Sequence, residues 1–138
     1  PTFYTLAAFL ILAALWILIP KRSDPGLMSH LTKDQAAALA HYVADASGGT
    51  VFRVAATGSM GKLISNPSFI VTQKAWGKVQ PGYAITFRTG GNPVTHLVVK
   101  RKGDTFVTKG IMNTDNDPRP VTKDTYIGTV VATIPYQP

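Results

Sequence analysis

A chain of 138 residues with 14 Lys and Arg, seven Asp and Glu, a net charge of +7 and no cysteine has room for one domain plus attachments. Without cysteine it holds no disulfide and no thiolate metal site. Its positive charge lacks the aromatic-interleaved basic stripe of a nucleic-acid surface, so nucleic acid is not an expected partner.

Phe3–Leu18 carries no charge and only two polar residues, Tyr4 and Thr5. Extended to Pro20, the run would reach roughly 27 Å as a helix, at the short end of a membrane span. Lys21-Arg22 follow at once, and Tyr4 and Trp16 lie near its ends, as at membrane–water interfaces. No Lys or Arg precedes the run in this sequence, and Ile19-Pro20-Lys21 is a poor cleavage site, which argues against a signal peptide. A core helix would show a polar stripe, and none is present. The expected division is a transmembrane anchor over 1–20, a linker and amphipathic helix over 21–49, and a β domain over 50–138. Membrane lipid is an expected partner, and the basic Lys100-Arg101-Lys102 cluster favours anionic headgroups beside it.

Ser23-Asp24-Pro25-Gly26 reads as a turn-rich linker. Thr32 and Gln35 have the spacing of a capping box. Ala36, Leu39, Ala40, Val43 and Ala46 make an apolar stripe with Tyr42 beside it, and Gly48-Gly49 ends the pattern, which predicts a helix over 33–46. Everything after Gly49 reads as strands and turns. Strands are expected over 50–56, 68–73, 83–88, 94–100, 105–109 and 126–134, the last closing the domain. Gly90-Gly91-Asn92-Pro93 and Lys102-Gly103-Asp104 mark hairpin turns, and 113–120 a polar loop. The pattern is mainly β: a small antiparallel domain with one N-terminal transmembrane helix and one short amphipathic helix.

Three residues in this β region have the right chemistry for nucleophilic catalysis. A serine hydroxyl needs a base to take its proton. Imidazole is suited to that near neutral pH, and a carboxylate can fix its tautomer and stabilise the imidazolium. Ser59 follows a strand, with Gly58 giving backbone freedom. His96 sits within a strand, and Asp117 stands before the rigid Pro118. Taken singly, each has a plainer reading: a turn serine, an ordinary strand histidine, and an Asp-Pro turn. His30 falls in the linker and His41 on the helix, so the three histidines form no clustered ligand spacing. No metal or cofactor is expected.

The motifs around these residues occur in an order that resembles the type I signal peptidases. They are most similar to the branch with a histidine base, found in the endoplasmic reticulum, archaea and some Gram-positive bacteria. Thr57-Gly58-Ser59-Met60 resembles that family's serine box. Val79-Gln80-Pro81-Gly82-Tyr83-Ala84-Ile85 resembles its second box. His96-Leu97-Val98 resembles its base box, and Thr108-Lys109-Gly110-Ile111-Met112-Asn113 the box after it. Asp117-Pro118 and Ile127-Gly128-Thr129-Val130 complete the series. The similarity spans about 50–131. Gly61-Lys62, Tyr83, Leu97 and Ile111-Met112 depart from the family pattern, mostly by loss of polar side chains.

The resemblance implies a signal-peptidase-type β domain and a membrane-anchored serine endopeptidase cutting pre-proteins after small residues. It implies Ser59 as nucleophile, His96 as general base and Asp117 as its orienting carboxylate. The Ser59 N–H, with the Thr57 hydroxyl, would form the oxyanion hole. Substrate would bind extended along a sheet edge, with other membrane subunits as further partners. The site would face the extracytoplasmic side, although Lys21-Arg22 by themselves favour a cytoplasmic domain. The rival expectation is a catalytically silent relative with a structural or assembly role in a membrane or membrane-containing virion.

Overall fold

The computed structural model describes residues 31–55, 57–64 and 67–138. The expected anchor, Phe3–Pro20, and the linker with His30 lie outside these residues. Among the described residues no helix is long and apolar enough to cross a membrane.

Helix α1, Lys33–Ser47, starts from the expected capping box. The Gln35 N–H donates to the Thr32 hydroxyl and the Thr32 N–H donates to the Gln35 side chain. It ends at Gly48, whose φ of 65° is left-handed backbone that favours glycine. The buried stripe is Ala36, Ala40 and Ala44, with Leu39 and Val43 half-buried beside it. Ala46, expected on that stripe, is exposed, and so is Tyr42. The helical repeat explains the difference. At about 100° per residue, Ala44 lies about 40° around from Ala40, whereas Ala46 lies about 120° away.

All strand pairs are antiparallel: β1 Thr50–Val54, β2 Ser68–Gln73, β3 Ala84–Thr89, β4 Asn92–Lys102, β5 Thr105–Lys109 and β6 Tyr126–Pro135. They form one six-stranded sheet in the order β1-β2-β6-β3-β4-β5. β1 stops at Val54, short of the expected Ala56, which lies outside the described residues. β3 begins one residue late because the Tyr83 N–H closes a turn onto the Gln80 carbonyl, through Gly82 at φ 90°. β4 runs longer than expected and includes Pro93. β5 pairs only from Leu97 onward, so the missing Pro93 N–H falls where one edge of β4 is open.

β6, expected as the closing strand over 126–134, has a position that the strand pattern did not specify. It does not close an edge but runs up the middle of the sheet, with its later half on β2 and its start on β3. Gly128 allows that close passage: a Cβ there would lie 2.8 Å from the Thr72 side chain and 3.1 Å from the Gln73 carbonyl. Two short 3-10 turns, Gly61–Ile64 and Trp76–Lys78, were not legible as elements.

The apolar interior has two centres. Ala36, Ala40 and Ala44 of α1 pack with Phe69, Val71, Ile134 and Tyr136. Ile85, Phe87, Val98, Phe106, Val79 and Val121 form the other centre, beneath the β3–β4–β5 meander. Phe106 is fully buried, its ring edge-on to Trp76 at 4.6 Å. Its backbone also bonds Val121 in both directions, pinning the far end of the loop after β5. Phe106→Ala is expected to cost about 3–5 kcal/mol, the usual range for emptying a buried aromatic site. Equilibrium urea unfolding measures this; a loss below about 1 kcal/mol would contradict a packed second core.

Candidate functional site

The site forms where a turn, a strand and a loop meet. After β1 the chain turns through Gly58, at φ 82°, and Gly61, at φ 53°. The Gly61 N–H donates to the Gly58 carbonyl across this turn. Met60, only 4% exposed, anchors the turn in the interior and leaves the neighbouring Ser59 at the surface of a cleft. From the other side, the Met112 N–H donates to the Ser59 carbonyl at 2.9 Å. Gly110 lets the loop approach closely, since a Cβ there would sit 2.7 Å from the Asn113 amide and 3.0 Å from the Ser59 Cβ.

His96 lies on β4, opposite Ile85 of β3. Strand alternation puts it on the face of Val94 and Val98, which belong to the second core. Its ring stands edge-on to Phe87 at 6.2 Å. An aromatic wall and strand backbone therefore restrict the imidazole. Leu97, next to His96, belongs to the opposite face of β4.

Asp117 is carried by the loop after β5, which folds back so that the Asp117 N–H donates to the Thr108 carbonyl at 2.8 Å. Its carboxylate meets His96 Nδ1 through Oδ2 at 2.8 Å and Oδ1 at 3.0 Å. His96 Nε2 faces the Ser59 hydroxyl at 3.3 Å, slightly beyond the usual range for an activated pair. A carboxylate accepts only, so Nδ1 carries the proton and Nε2 is left to accept from Ser59. The His96 and Asp117 side chains are 11% and 16% exposed. Ser59, His96 and Asp117 are thus joined in one hydrogen-bonded line.

The Thr57 hydroxyl lies 3.2 Å from the Ser59 hydroxyl, so it touches the same oxygen as the histidine. Among the described residues the Ser59 N–H makes no hydrogen bond. Beside these groups lies a cleft of about 440 Å³, walled by Val54 and Ala55 on one side and Pro93, Val94 and His96 on the other. Met60, Ile64 and Asn113 complete much of its floor and rim. β1 and β4 are separated by three strands in the sheet, so a shared cleft requires the sheet to curl.

One polar residue of this arrangement was not singled out for a role from sequence. Thr108 is fully buried, and its hydroxyl donates to Asp117 Oδ2 at 2.5 Å. A single carboxylate oxygen thus accepts from both His96 and Thr108. The available signal was its place two residues after the apolar Phe106, on the same face of β5. Thr108→Val keeps the shape and removes the donor. A hydrogen bond to a charged group contributes about 1.5–3 kcal/mol. If the site is catalytic, a loss of about tenfold to a hundredfold in kcat is expected, with Thr108→Ser restoring most of it. Unchanged kcat in a folded Thr108→Val protein would show that the contact positions nothing.

No family model, curated protein or solved structure matches the chain.

Proposed function

We propose that the protein is a membrane-anchored serine endopeptidase similar to signal peptidase I, with a domain of that type. It would cleave extended pre-protein segments after small residues on the extracytoplasmic side. The observation that carries this reading is the line Ser59–His96–Asp117, held by three different parts of the chain, with Ser59 and His96 lining a cleft. A structural protein has no need of a half-buried serine placed against an oriented histidine. Leu97 adds support, because its substitution falls on the face of β4 away from the site.

In this mechanism Ser59 Oγ attacks the scissile carbonyl carbon while its proton moves to His96 Nε2. Asp117 holds the Nδ1 proton and stabilises the imidazolium. The oxyanion is met by the Ser59 N–H, with the Thr57 hydroxyl as second donor. His96 then delivers its proton to the leaving amine, giving an acyl-Ser59 ester and a free amino terminus. Water attacks the ester carbonyl as His96 takes its proton; the C–Oγ bond then breaks, His96 returns the proton to Ser59 Oγ, and the acid product leaves. The cleft walls of Val54, Ala55 and Val94 offer small apolar surfaces, consistent with small residues beside the cut.

The test uses the full chain in detergent micelles with a membrane-inserted pre-protein and with a peptide carrying alanine before the cut. Cleavage is expected, with Ser59 acylated by a serine-directed electrophile and located by mass spectrometry. An inert protein whose Ser59 is not labelled, and whose Ser59→Ala variant works fully in its host, would replace this reading with the silent structural one.

A further inference from the structure

Arg53 stands on β1, six positions before Ser59, and lines the same cleft as Ser59 and His96. It also lines a second cavity of about 580 Å³, walled in part by Lys33, Val54, Ala55 and Tyr136. Arg53, Val54 and Ala55 are common to both, so the two hollows adjoin along the end of β1. The guanidinium is oriented: its Nε donates to the Tyr136 hydroxyl at 3.0 Å, and Tyr136 is 3% exposed. Among the described residues, no Asp or Glu side chain lines either cavity. The ion pairs among the described residues are His96–Asp117 and Arg101–Asp104, and neither involves Arg53 or Lys33. Arg53 is exposed, but its Nε is tied to Tyr136, and among the described residues its charge is unpaired and open to an acidic occupant of the cleft.

β1 is an edge of the sheet, bonded on one side to β2 only. Its open edge can take an added strand. Arg53 shares a face with Val51, which packs toward the α1 side of the sheet. A strand laid against β1 would put every second side chain on that face, and the one opposite Arg53 would meet the guanidinium. We propose that Arg53, supported by Lys33, is a specificity determinant selecting an acidic side chain, Asp or Glu, at one position of the cleaved segment. This rests on the peptidase reading and adds a substrate class to it. The recognition is charge-assisted and single-position, unlike the diffuse attraction of a chain with a net charge of +7.

The experiment scans a single Glu, Gln or Lys along an otherwise neutral peptide with alanine before the cut, using the full chain in detergent. One position is expected to favour Glu over Gln by about twofold to fivefold in kcat/KM, as a partly exposed ion pair would give. Its immediate neighbours should show no preference. In Arg53→Gln the ratio should fall to about one at that position, and in Arg53→Glu it should invert in favour of Lys. Inversion is a gain that misfolding cannot produce. A Glu preference spread evenly over all positions, or one that survives Arg53→Gln, overturns the proposal while leaving the peptidase reading intact. If no peptide is cleaved, that reading fails by itself. Fluorescent Glu, Gln and Lys peptides titrated onto Ser59→Ala then decide the groove: equal affinities overturn it, and a Glu preference lost in the Arg53→Gln, Ser59→Ala double variant supports it.

Discussion

Peptide cleavage by the Ser59→Ala protein is expected to fall by about three to six orders of magnitude, and by His96→Ala to a similar level. The two groups act as a unit, because the hydroxyl is an effective nucleophile only while Nε2 can take its proton. The double variant should therefore be hardly worse than either single one, a non-additivity that separates a shared proton transfer from two independent contacts. Ser59→Ala should leave folding stability nearly unchanged, because the residue is only half-buried and its hydroxyl contact is 3.3 Å. Rates by quenched-peptide assay and unfolding by urea would show the contrast. Residual cleavage within tenfold of the unmodified protein in a folded Ser59→Ala sample would remove Ser59 from the nucleophile role.

Much of the β architecture was legible because local chemistry determines it. β2 has the expected bounds, Ser68–Gln73, since a β-branched and apolar run of that length favours a buried strand over a helix. The Gly90-Gly91 turn and the hairpin across Gly103 follow from backbone that favours glycine, with φ of 57°, 88° and 60°. The Thr32–Gln35 box announced the start of α1. The position of β6 was not legible. Nothing in Tyr126–Pro135 states that it will insert between β2 and β3, because partner choice is a long-range packing outcome. The pattern of Gly128 shows a glycine in a strand but not the Thr72 side chain against it.

The candidate site divides in the same way. Ser59, His96 and Asp117 were singled out from the order of the motifs around them. They lie 37 and 21 positions apart along the chain, and the fold brings them into one line. Sequence could not give the second acceptor duty of Asp117, because a buried strand threonine such as Thr108 looks like any other strand threonine. Nor could it give the place of Arg53. An alternating strand next to a serine box shows a charge, but the cleft around it depends on the curl of a sheet whose β1 and β4 are three strands apart.

Asp117→Asn is the sharper test of that line, with a loss of about two to four orders of magnitude in kcat expected. Oδ2 accepts from both His96 Nδ1, at 2.8 Å, and the Thr108 hydroxyl, at 2.5 Å, while Oδ1 also faces Nδ1 at 3.0 Å. An amide has one oxygen for these duties. If that oxygen stays with Thr108, the amide N–H₂ points at Nδ1 and favours the ring with its proton on Nε2, which cannot accept from Ser59. The variant should then bind peptide with little change in KM and turn it over slowly. Nitrogen NMR of the ring should show the proton moved from Nδ1 to Nε2. Asp115→Asn is the matched control: Asp115 is exposed on the same loop, forms neither ion pair seen among the described residues, and should be nearly silent. Thr108→Val combined with Asp117→Asn should lose less than the sum of the two, since the threonine acts through the carboxylate. An Asp117→Asn protein within about threefold of full activity, or one with its Nδ1 proton in place, would mean that His96 is oriented by its strand and by Phe87 alone.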